Sequence, residues 1–124
     1  MADDNMKVIV KAKELMQHTF TLTTNEKRYP KKFRHSLVDR MQLRSMDIYE
    51  VLLEANRTDN KARCRERCEL ITKAIMRCDN LLSYIELSMN MKLLSENSAK
   101  YWSKLVCDVK YMALAWRKKE QSSH

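Results

Sequence analysis

The sequence predicts an all-α chain folded as an antiparallel up-down-up-down four-helix bundle, and three observations carry that expectation. None of the 124 residues is glycine. Proline occurs once, at Pro30. Apolar residues recur at spacings of three and four along most of the chain, which is the mark of helices with one buried face. Primed hairpin turns, phosphate-cradling loops and dinucleotide-binding turns all rely on glycine, because it takes positive φ at little cost. A chain without it has few ways to build a tightly turned sheet and almost nothing to interrupt a helix. The length suits a single domain over residues 1–124.

The first helix is expected over about residues 4–23, where Val8, Ala12, Leu15, Met16, Thr19 and Leu22 share a face. The stretch TTNEKRY ends it with residues that favour turns and caps. Pro30 fits the first turn of a second helix, where its missing N–H costs nothing. That helix is expected over 30–56, on a seam of Phe33, Leu37, Met41, Ile48, Leu52 and Ala55. After the break ANRTDN, Thr58 or Asp59 can cap a third helix running to Met91. Its expected seam is Cys64, Cys68, Ile71, Ile75, Cys78, Leu82, Ile85 and Met89, flanked by Leu70, Ala74, Leu81 and Tyr84. Ser95 is the expected N-cap of a fourth helix over 95–119, whose inner face carries Trp102, Leu105, Val106, Val109, Ala113 and Trp116. Tyr49, Leu53, Leu81, Tyr84 and Met91 lie beside these seams, and such surplus apolar width points to an association surface.

No apolar run approaches the ~20 residues that span a bilayer, and the polar start MADDNMK does not read as a signal peptide. A cytoplasmic protein with no membrane partner is therefore expected, with its four cysteines reduced. Catalytic chemistry is not expected. Cys64 and Cys68 stand one turn apart, but no second paired motif completes a metal site, and the cysteines read as small core residues. His18, His35 and His124 lack metal-binding partners at helical spacing. The nine methionines follow helical spacing and read as core filler. No metal, cofactor or catalytic residue is assigned.

The net charge of +8 is unevenly spread. Residues 23–44 hold seven Lys or Arg against two carboxylates, whereas 45–56 hold three carboxylates and no base. A patchy basic surface attracts nucleic acid, anionic membrane or an acidic protein. In an up-down-up-down bundle the loop bases Lys27, Arg28, Lys31, Lys32 and Arg34 share one pole, with Lys92, Lys100 and Lys104 near them. Arg57, Lys61, Arg63, Arg65 and Arg67 share the other with the tail bases Arg117, Lys118 and Lys119. Bases beside a helix start reinforce its own attraction for phosphate, and Tyr29 and Phe33 stand among them, either to stack on bases or to fasten the loop to the bundle.

Three stretches carry a family resemblance: KAKELMQHTFTLTTNEKRYPKKFRHSLVDRM, IYEVLLEAN and YWSKLVCDVKYMALAWRK. Together they resemble the bacterial four-helix-bundle family that includes the proteins encoded in intervening sequences of 23S ribosomal RNA genes. It also includes the accessory variability determinant (Avd) proteins of diversity-generating retroelements. The resemblance spans about Lys11 to Lys118 and is best matched by the Avd-like members. It implies a barrel-like homopentamer with a basic surface that binds RNA or DNA without strong sequence preference. It further implies association with the retroelement reverse transcriptase in mutagenic retrohoming, with no catalytic residues of its own. The site residues this supports are Lys27, Arg28, Lys31, Lys32 and Arg34, with Arg117, Lys118 and Lys119 as a second group. The alternative is a protein-interaction module of the intervening-sequence type, whose basic face meets an acidic partner.

Overall fold

A computed structural model describes residues 2–123, with side chains from Asn5 onward. Four α-helices account for most of it: α1 (Ala2–Thr23), α2 (Asp39–Arg57), α3 (Cys64–Asn90) and α4 (Glu96–Ser122). No strand occurs among the described residues. α1 packs against α2 and α4, and α3 packs against the same two helices. Between them runs one apolar core in which Leu15, Met41, Leu52, Ile71, Leu81 and Trp102 are fully buried. Polar bonds cross each interface. Gln42 Nε2 donates to Thr23 Oγ1 at 3.0 Å and Asn5 Nδ2 to Asn56 Oδ1 at 3.3 Å. Arg77 Nε lies 3.6 Å from Asp47 Oδ2, Lys110 Nζ 2.6 Å from Asp79 Oδ1, and Trp102 Nε1 donates to Thr19 Oγ1 at 3.0 Å.

α1 reaches its expected end by a local device. Thr19, Thr21, Thr23 and Thr24 each bond back to the carbonyl four residues earlier. The hydroxyls of these β-branched residues are thereby satisfied within the last turns. Ser95 caps α4 as expected, its Oγ accepting from Ser98 N at 3.1 Å. The fourth helix runs on to Ser122, so Arg117, Lys118 and Lys119 sit on the helix and not at its frayed end.

The second helix departs from the expected span of 30–56. Pro30 is extended, with φ −56° and ψ 156°, and precedes the first turn instead of forming part of it. A 3₁₀ turn follows over Lys31–Phe33, then a π-helical turn over Arg34–Val38 in which Asp39 N–H bonds to the Arg34 carbonyl. Regular α geometry begins only at Asp39. The cause is Tyr29, which is 2% exposed. Fixing that ring in the core sets where the chain enters, and the residue ahead of a proline is itself pushed away from helical geometry.

The third helix also starts later than the expected Thr58 or Asp59. Thr58 turns its hydroxyl backward onto the Glu54 carbonyl, and Asp59 Oδ1 accepts from Lys61 N at 2.9 Å to close a separate turn. α3 begins at Cys64, behind an Arg63 that makes no side-chain cap. Its buried line is Arg67, Ile71, Ala74, Ile75, Cys78, Leu81, Ile85 and Ser88. This face is rotated from the expected seam because α3 must fill the angle between α2 and α4. Cys64, Cys68, Leu82 and Met89 are consequently only half-buried. Leu81 is absorbed into the core and Tyr49, Leu53 and Tyr84 partly so, leaving Met91 as the exposed member of the expected surplus stripe. The other exposed large apolar side chains are Met6, Val10, Leu43, Met76, Leu87, Tyr101 and Tyr111.

α3 ends in a Schellman turn built without glycine. Leu93 N bonds to the Ser88 carbonyl and Lys92 N to that of Met89, which satisfies two carbonyls the helix end leaves open. This requires a left-handed residue, and Lys92 takes it at φ 61°. A Cβ in that conformation costs about 1–2 kcal/mol, part of which glycine's greater unfolded freedom would take back. Lys92→Gly is expected to stabilise the protein by about 0.5–1 kcal/mol, read as a higher urea midpoint at unchanged slope.

Candidate nucleic-acid interface

The loop between α1 and α2 is organised by Asn25. Its carbonyl accepts from Arg28 N at 3.0 Å and Tyr29 N at 2.9 Å, and its Oδ1 accepts from Lys27 N at 3.0 Å. These bonds fold the chain tightly, so that Tyr29 is buried while Lys27, Lys31 and Lys32 are exposed.

The five loop bases then divide by what holds them. Arg28 is half-buried and donates from Nη1 to Ser98 Oγ at 3.1 Å, tying the loop to the first turn of α4. Arg34 lies 3.6 Å from Glu26 Oε1. Lys27, Lys31 and Lys32 are exposed and have no carboxylate partner among the described residues. The Lys32 ammonium sits 5.3 Å from the centre of the Phe33 ring. Lys31 and Arg34 meet at one small cleft of about 190 Å³, lined also by Thr23, Thr24, Gln42 and the carboxylate residues Glu26 and Asp39. Tyr29 fastens the loop, and its buried ring is closed to base stacking; Phe33 is partly buried against the core.

The remaining bases expected at this pole contribute less. Lys100 lies 3.2 Å from Glu96 and Lys104 3.2 Å from Asp108, each a pair four residues apart on α4. His35 Nδ1 lies 3.3 Å from Asp39 Oδ2 in an exposed pair. Burial first, and then the Arg28 guanidinium, hold the His18 pKa below its usual value, and its ring stands edge-on to Tyr101 at 5.2 Å.

The tail bases are not brought to the loop. Arg117 is half-buried, with Nη1 donating to Thr72 Oγ1 of α3 at 3.0 Å. Lys118 is exposed, and Lys119 lines a small groove with Asn5, Lys7 and Trp116. Asn5 and Lys7 belong to the start of α1 and the basic loop follows its end. The 22 residues of that helix correspond to about 33 Å at 1.5 Å per residue.

Arg67 does not belong to any basic surface. It is 7% exposed and its Nη2 lies 3.1 Å from Glu120 Oε1. Nη1 donates to the Thr58 carbonyl at 3.0 Å, and the guanidinium stacks 5.1 Å from the Trp116 ring centre. Trp116 Nε1 donates to the same Glu120 oxygen at 3.1 Å. Around it Arg63 is paired with Glu66, and Arg65 lies 3.4 Å from Glu69. At the second expected pole Arg63, Arg65 and Arg67 are thus paired with carboxylates, whereas Arg57 and Lys61 are exposed with no carboxylate partner among the described residues.

Among the described residues no helix is long and apolar enough to cross a membrane. No family model, curated protein or solved structure matches the chain.

Proposed function

We propose that this chain is a non-catalytic, nucleic-acid-binding accessory protein of a diversity-generating retroelement, acting with its reverse transcriptase on RNA or DNA. The observation that carries the binding is the loop trio Lys27, Lys31 and Lys32, exposed on a rigidly folded turn and without carboxylate partners among the described residues. Unpaired ammonium groups gain most from phosphate, because they have no ion pair to give up and release counterions from the polyanion. Arg28 and Arg34 act mainly as positioning residues. The tail base Lys118 is a secondary contact on a different part of the surface. The link to a reverse transcriptase and to mutagenic retrohoming rests on the Avd-like resemblance of the sequence.

The same reading takes the helices as an antiparallel up-down-up-down bundle. Its support is the order of the cross-helix pairs, with Asn5 opposite Asn56 and Thr23 opposite Gln42, and with Thr72 opposite Arg117 and Asp79 opposite Lys110. Self-association into a homo-oligomer, a pentamer by resemblance, is supported by exposed Met6 and Val10 on α1 and by Tyr101 and Tyr111 on α4. A ring of such subunits multiplies three charges into a continuous belt.

Filter binding of a labelled RNA and a labelled DNA at rising salt tests the proposal. Replacing Lys27, Lys31 and Lys32 together by Glu is expected to weaken binding at every sequence and to lower the log–log salt slope by about 3, about one per lost phosphate contact. All three side chains are exposed, so the helical content should not change. A variant that binds like the wild type, with the same salt slope, would show that the loop is not the interface. If neither protein retains nucleic acid at physiological salt, the alternative of an acidic protein partner takes its place.

A further inference from the structure

The nucleic-acid reading leaves a groove on α3 unused. It has a volume of about 680 Å³ and is lined by Cys64, Cys68, Thr72 and Met76, spaced one turn apart along one face, with Arg65, Glu69 and Lys73 beside them. Cysteines that merely fill a core look like Cys78, which is fully buried and whose thiol burial pushes up to about 12. Cys64 and Cys68 differ. Both are free, half-buried and open to the same groove. The Cys64 thiol donates to the Glu120 carbonyl at 3.8 Å, which holds it at the α3–α4 junction. Residues four apart on a helix are neighbours on one face, so the two thiols line the same stretch of the groove.

We propose that Cys64 and Cys68 form a two-coordinate site for a univalent thiophilic ion, Cu(I) by chemical class. Soft thiolates select such ions over harder ones. A tetrahedral zinc site needs four ligands, and among the described residues no three His, Cys, Asp or Glu side chains converge. A two-coordinate ion needs only the pair present. Met76 lies about 12 Å farther along the helix, so its thioether closes the far end of the groove and stays out of reach of the ion. On binding, two S–H bonds break and two Cu–S bonds form, two protons leave to solvent, and copper keeps its oxidation state. The resulting bis-thiolate complex carries one negative charge, which Lys73 beside the groove and Arg117, bonded to Thr72, offset; Arg65 is already 3.4 Å from the Glu69 carboxylate that also lines the groove. This site is independent of the basic loop and makes no use of nucleic acid.

Anaerobic titration of the full chain into the coloured Cu(I) complex of bathocuproine disulfonate tests it. The wild type is expected to withdraw one Cu(I) per chain, the Cys64→Ser/Cys68→Ser variant none, and Cys107→Ser as much as the wild type. A second measurement needs no variant: Cu(I) should shield Cys64 and Cys68 from iodoacetamide while Cys107 labels as before. The site is refuted if the chelator keeps its copper against the wild type, or if the double variant withdraws copper equally well. Protection that falls on Cys107 instead of the pair refutes it too.

Discussion

Arg67→Met is expected to destabilise the protein by about 3–5 kcal/mol, the cost of leaving a buried charge without its partner. Met keeps most of the volume, so the loss isolates the charge. Glu120 is 8% exposed and would retain only the Trp116 N–H beside its carboxylate. The Thr58 carbonyl, itself in a buried residue, would lose the Nη1 donor as well. Because both ions are more than nine-tenths buried, solvent screens the pair little. Adding Glu120→Gln should recover most of the loss, since an amide oxygen can still accept from Trp116 without carrying charge. Urea unfolding of the two single variants and the double variant measures this directly. If Arg67→Met unfolds at the wild-type midpoint, the pair contributes nothing. If the double variant is no better than Arg67→Met, the loss came from packing and not from an orphaned carboxylate.

Trp102→Ala is expected to cost about 3–5 kcal/mol as well, by a different route. The ring is fully buried and reaches from α4 across to α1, where its Nε1 donates to Thr19 Oγ1. Truncation removes the transfer energy of a large ring and opens a cavity between two helices that cannot close fully onto it. Thr19 itself is not orphaned, because its hydroxyl still donates to the Leu15 carbonyl at 2.8 Å. Trp102→Phe should therefore cost clearly less than Trp102→Ala, as it restores much of the volume and leaves no buried polar atom unpaired. A lower urea midpoint at unchanged slope would place both effects in the folded state. Equal losses for Phe and Ala would instead make the indole N–H, and not the ring's bulk, the part that matters.

The helices were legible in the sequence where local signals and tertiary demands agree. Val8, Ala12, Leu15, Thr19 and Leu22 share a buried face as their spacing requires, and Ser95 caps α4 through its own hydroxyl. Where the two conflict, the sequence misleads. Thr58 has the side chain of an N-cap, yet its oxygen bonds backward and α3 begins six residues later. Pro30 has the look of a first-turn proline, yet a buried Tyr29 sets the entry of the chain. Charge was the least legible property. Position placed Arg67 with other bases, and only packing reveals that its partner is Glu120, 53 residues away. The same holds for the loop, where exposure and pairing reduce five candidate bases to three.

The wide turn over Arg34–Val38 sets how this chain tolerates changes in length. Because its hydrogen bond spans five residues, it holds one residue more than an α turn would. That surplus is slack. It lets Tyr29 reach its place in the core while Leu37 and Val38 stay on the seam that continues through Met41 and Ile48. Arg34, His35 and Ser36, the exposed part of the turn, make few demands on sequence but a firm demand on number. Substitution there is cheap. Deletion is not, because one residue subtends about 100° around a helix, and the chain would have to surrender either the tyrosine's socket or the register of α2.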